Sequence, residues 1–158
     1  MTLQEHITAL ASDKQFSLAI SLTKLAVPIW ENYVIGNELV YRDTVVGLIH
    51  KVDKSLLTKT ITAVEEYLRS KKSKQLLFNL RTQYDDPIVA LQDMDWDLPG
   101  EVQKTFYSVF NLLEACLGET ETILGELTIY VSINQAIDAL ETSKTLTFEE
   151  IRVLLYDS

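Results

Sequence analysis

A chain of 158 residues, 47% of them apolar and 23% charged, is long and apolar enough to bury one core, which excludes intrinsic disorder and fits a single helical domain over residues 1–158. Its longest apolar run, Leu25 to Trp30, is far shorter than the roughly 20 residues that cross a bilayer, so no membrane span is expected. The net charge of −9 opposes polyanions and disfavours nucleic acid as a partner.

Apolar residues recur with the helical period from end to end, and strand signals are scarce. The expected fold class is all-α, a compact bundle of about six to seven helices with mostly antiparallel neighbours, because the connections are short. Three helix starts carry the reciprocal capping pattern Ser/Thr-x-x-Glu/Gln: Thr2 with Glu5, Ser12 with Gln15, and Thr147 with Glu150. Each box can satisfy two backbone N–H groups that a helix start leaves orphaned.

The first helix is predicted over 3–11 and the second over 13–35, ending at Gly36. The second carries two apolar stripes, one through Phe16, Ile20, Val27, Trp30 and Val34, the other through Leu18, Leu22, Leu25 and Ile29. That pattern puts it at the centre of the bundle, with a kink at Pro28. The third helix is predicted over 43–70 on the stripe Val45, Ile49, Val52, Leu56, Ala63 and Val64. A helical stretch over 74–84 follows, then a break at Asp85-Asp86-Pro87 and a short helix over 87–94. The fifth long element starts near Pro99 and ends at Gly118. The sixth, over 119–141, is apolar nearly all round and is expected beside the second; the seventh covers 148–156. Gly47 and Gly125 fall inside these predicted helices at about 1 kcal/mol each relative to alanine, which suggests close helix packing.

Charge is distributed unevenly. Residues 1–84 hold 11 Lys/Arg against 8 Asp/Glu, whereas residues 85–158 hold 3 against 15. A basic group, Arg69, Lys71, Lys72 and Lys74, reads as a solvated helix end complementing the helix dipole. The acidic group Asp85, Asp86, Asp93, Asp95, Asp97 and Glu101 contains no Lys or Arg between 85 and 101. Asp93-x-Asp95-x-Asp97 matches the opening of a calcium loop. However, its sixth position is Leu98 rather than glycine and its twelfth is Lys104 rather than glutamate, so no metal is assigned.

Catalytic signatures are missing. The sequence has no glycine-rich phosphate loop, no Gly-x-Ser-x-Gly and no His-Glu-x-x-His, so no cofactor and no catalytic residue are assigned. The single cysteine, Cys116, cannot form an internal disulfide or a thiolate zinc cluster and reads as a small buried hydrophobe. Gln4, Glu5, His6, Ser12, Asp13 and Lys14 interrupt any leader-like apolar run, and the expected address is the cytoplasm. His50 can share a helix face with Asp53, and Asp43 lies nearly two turns back. That grouping supports one alternative: a helical enzyme or a small-ligand or metal-binding bundle.

The segment Leu25-Ala-Val-Pro-Ile-Trp-Glu-Asn-Tyr33, followed by Tyr41-Arg-Asp43, resembles a leading helical hairpin in small all-α proteins of bacterial toxin–immunity neighbourhoods. The resemblance covers about 20 residues, carries over no functional residue, and implies a helical protein that acts by binding rather than catalysis. The leading expectation is therefore a non-catalytic, acidic protein-binding module for a basic protein partner, with an immunity-type inhibitor as one form. Asp93, Asp95, Asp97 and Glu101 would supply steering, and Trp96 would be an anchor if exposed. Trp30, Tyr33, Tyr41 and Arg42, residue types that dominate interface energetics, are candidates for a secondary surface, with core packing and a loop anchored by Tyr41 as the favoured reading of the same residues. Self-association through apolar surface is a further option.

Overall fold

The longest apolar segment of the sequence forms the axis of the molecule. In the computed structural model, which describes residues 1–156, α2 (Ser12–Ile35) packs against both α5 (Gly100–Cys116) and α6 (Thr128–Thr142). Trp30, Leu22, Phe106, Leu112, Leu113 and Ile133 are fully buried between these three helices. Ser108 and Ser132 join α5 to α6 reciprocally: each hydroxyl donates to the other residue's carbonyl at 2.7 Å. A carbonyl has two lone pairs, so these bonds can be added without breaking the helical ladder. Around this centre lie α1 (Leu3–Ala9), α3 (Leu56–Ser70), α4 (Gln75–Gln92) and α7 (Phe148–Tyr156). The described residues are 67% helical and form seven helices, so the all-α bundle expected from periodicity holds. No helix among the described residues is long and apolar enough to cross a membrane.

Four local expectations are corrected. The predicted start of the third helix is instead a β-hairpin of β1 (Val40–Arg42) and β2 (Ile49–Lys51), paired antiparallel with Tyr41 opposite His50. Asp43 closes it: its carboxylate accepts from the Val45 and Val46 N–H groups, and its carbonyl accepts from Gly47 N at 2.7 Å. Gly47 sits at φ +74°, a conformation that glycine adopts at no side-chain cost. The Arg42–Asp43 pair therefore ends a strand and opens a turn, and does not open the helix that the resemblance implied.

The second correction concerns α4, which runs unbroken from Gln75 to Gln92 through Asp85, Asp86 and Pro87. Proline removes one ladder bond, and burial of the Pro87 ring between neighbours offsets that loss. The third is the start of α6, at Thr128 rather than 119. Residues 119–127 form a loop with a bridge between Glu121 and Leu127 and a positive φ at Gly125. Ile123, which falls within the predicted helix over 119–141, is consequently fully exposed at 105%. The fourth is the Ser12–Gln15 box. Ala11 occupies the cap of α2, and Gln15 Nε2 instead donates to the Ile7 carbonyl at 2.9 Å, tying α2 to the end of α1.

Candidate functional site

The hairpin rests on the loop that follows α4, and this contact unites residues that the sequence left in separate groups. α4 ends with Met94 in the left-handed region at φ 63°. The Met94 N–H reaches the Leu91 carbonyl, and the Asp95 N–H reaches the Ala90 carbonyl at 2.8 Å. This six-to-one closure turns the chain back sharply and projects the Asp95 side chain to the hairpin. There, Thr44 Oγ1 donates to Asp95 Oδ1 at 3.0 Å.

Beneath that contact the rings interlock. Tyr41 stacks on His50 with centroids 5.1 Å apart and meets Trp96 at 5.6 Å, and Trp96 stands edge-on to the core residue Phe106 at 5.9 Å. Trp96 is only 6% exposed, which removes it as a direct anchor; it holds the hairpin to the core instead. Trp30 is likewise withdrawn from the surface. It is 0% exposed, and its indole N–H donates to the Lys54 carbonyl at 2.9 Å. Tyr33 is half-buried against the core, and Tyr41 is buried within the ring stack. Arg42 is exposed, and its guanidinium donates to the Gly47 carbonyl at 3.0 Å across the hairpin turn.

Asp93 and Asp97 are exposed, whereas Asp95 and Glu101 are half-buried, the latter in the first turn of α5, where a carboxylate favours the helix dipole. The geometry adds Asp43, which the sequence placed apart from the acidic run, and brings Asp86 of that run beside it. Asp43 and Asp86 share one small surface cleft with Asp93, Asp95, Val45 and Val89. Their convergence is felt by Tyr41, whose phenol is pushed up first by burial and then by the charges of Asp86 and Asp43. Among the described residues no Lys or Arg comes within ion-pair distance of these four carboxylates.

The hairpin turn beside them is apolar. Val45 is 87% exposed, with Val46, Leu48 and Ile49 also open to solvent. Sequence reasoning missed this patch because Val45 and Ile49 fitted a helical stripe. The alternation of Val-Tyr-Arg and Ile-His-Lys around Asp43 and Gly47 was the available hairpin signal.

His50 is on β2, not on a helix, so its relation to Asp53 and Asp43 is not the one expected. His50 and Asp53 line a cleft of about 240 Å³ together with Asp86. Among the described residues no three His, Cys, Asp or Glu side chains converge to hold a metal ion. Cys116 is buried, and burial pushes its thiol up, away from thiolate reactivity. No family model matches the chain, and neither the curated proteins nor the solved structures yield a match.

Proposed function

We propose that this protein is a non-catalytic binding module whose hairpin turn and acidic loop form one surface for a basic protein partner. One observation carries the reading. The Thr44–Asp95 contact sets an exposed apolar turn beside Asp43, Asp86 and Asp93, which lack cationic partners among the described residues. Apolar residues ringed by uncompensated like charge are costly for an isolated molecule. A covering partner with Lys or Arg relieves the repulsion and buries the apolar side chains. An immunity-type inhibitor is one protein that works in this way, since blocking a basic target requires tight binding and no chemistry.

The test is crosslinking from a photoreactive group at position 46, followed by affinity measurement on the recovered partner. Substituting Asp43, Asp86 and Asp93 together by Asn leaves the Thr44–Asp95 contact in place. It is expected to weaken association by about tenfold or more and to flatten its salt dependence. Association that ignores both salt and the triple substitution rejects the reading.

A further inference from the structure

The hairpin is a two-stranded sheet with no third strand on either side, so each strand has an edge. In the antiparallel ladder, Tyr41 and His50 form the hydrogen-bonded pair, in phase with the 2.8 Å bonds from Asp43 N to the Leu48 carbonyl and from Val52 N to the Leu39 carbonyl. The alternate residues, Val40 and Arg42 on β1 and Ile49 and Lys51 on β2, therefore turn their backbone N–H and C=O groups outward. Among the described residues those groups find no backbone partner. An exposed row of this kind templates a further strand, and proteins ordinarily blunt it.

The two edges differ. β1 is flanked by the loop after α4 through the Tyr41–Trp96 and Thr44–Asp95 contacts, and Val40 is only 38% exposed. β2 carries Ile49 at 63% exposed, continuous with the apolar turn. The two faces of the hairpin differ as well. Ile49 lies on the outward face, whereas Tyr41 and His50 face the cleft containing Asp86 and Asp93.

We infer that a basic partner engages this surface by adding an extended segment to the β2 edge, in which apolar and basic residues alternate. The inference rests on the proposed binding function and specifies its mode. Side chains of a strand alternate between faces. Apolar residues of the added strand therefore lie beside Ile49, and its Lys or Arg residues point towards Asp86 and Asp93. Main-chain bonds to Ile49 and Lys51 supply affinity, and the carboxylates select for charge.

The probe is a decapeptide of alternating valine and lysine, titrated into the whole protein while backbone amide resonances are followed. The expected result is a shift of the Ile49 and Lys51 amides, with binding about tenfold weaker or worse for the same peptide methylated on alternate backbone nitrogens. Ile49→Pro, whose missing N–H is an outward one, is expected to abolish the effect, whereas Val40→Pro on the other edge leaves it. Methylation reads the same bond from the peptide side, so the result stands even if Ile49→Pro fails to fold. Shifts confined to Asp86 and Asp93, indifferent to methylation, overturn strand addition while leaving a charge-selective binding surface. The absence of any shift also overturns strand addition, and the binding function is then judged separately by the partner crosslinked at position 46.

Discussion

Thr44 and Asp95 are 51 residues apart in the chain, yet a 3.0 Å bond between their side chains fastens the hairpin turn to the end of α4. The Thr44 N–H also points at the same carboxylate, at 3.4 Å. Both residues are near solvent, so water can replace part of what is lost. Thr44→Val is expected to lower global stability by about 1 kcal/mol in urea unfolding. Hydrogen exchange in the hairpin should rise more than exchange in α5. Equal acceleration in both elements would mean that the contact does not govern the hairpin locally.

Met94 holds a left-handed conformation while 87% exposed. A side chain at such a φ costs roughly 1–2 kcal/mol, and no burial offsets it here. Met94→Gly is therefore expected to stabilise the fold by about 1 kcal/mol, read as a higher denaturant midpoint with unchanged slope. A lower midpoint would show that the thioether makes a stabilising contact.

Tyr84 and Thr60 share a 2.7 Å bond in the buried core. Thr60 also reaches the Leu56 carbonyl at 2.8 Å, which uses its single hydroxyl proton, so Tyr84 is the donor to Thr60. Removing the donor and removing the acceptor then differ. Tyr84→Phe leaves only a spare lone pair on Thr60 and should cost about 1 kcal/mol. Thr60→Val leaves a buried O–H without a partner and should cost more, up to about 3 kcal/mol. The reverse order in thermal unfolding would contradict this proton assignment.

Asp53 precedes α3 and accepts from Lys59 Nζ at 2.7 Å and from the Ser55 N–H and hydroxyl. The Lys59 bond is the main cause that lowers its carboxyl below the usual 3.8, against a smaller opposing effect of burial. A depressed native value stabilises the fold above pH 3.8, and that contribution is lost as pH falls through the native value. Because both side chains are partly exposed and screened by solvent, the stability gap between the natural protein and Asp53→Ala should stay below about 1 kcal/mol at pH 7 and should narrow in acid. A gap independent of pH would show that the charge plays no part.

The long helices were legible because their signals are local. The Thr2–Glu5 box forms in both directions, at 3.0 and 3.1 Å, and Thr147 accepts from the Glu150 N–H as its spacing predicts. The hairpin was not legible because Val45, Ile49, Val52 and Leu56 are spaced for a helix that starts only at Leu56. There the true stripe of α3 extends by coincidence back through a β-turn set by Asp43 and Gly47. The site was half legible. Its acids were visible as an acidic run that includes Asp86, but Asp43 joins it only through folding. Residue type alone left Trp30 and Trp96 open between surface and core, because a large aromatic ring is as useful to a core as to an interface; burial decides for the core in both.

The buried ring path from His50 through Tyr41 and Trp96 to Phe106 has a practical consequence. Of the two tryptophans, Trp96 touches the hairpin ring Tyr41, whereas Trp30 packs on Phe106. Anything that presses on the hairpin reaches Trp96 directly through Tyr41, whereas Trp30 is tied to the chain beyond β2 by its bond to the Lys54 carbonyl. The molecule thus carries its own fluorescence gauge, and a Trp30→Phe variant would isolate the signal of occupancy without an attached dye.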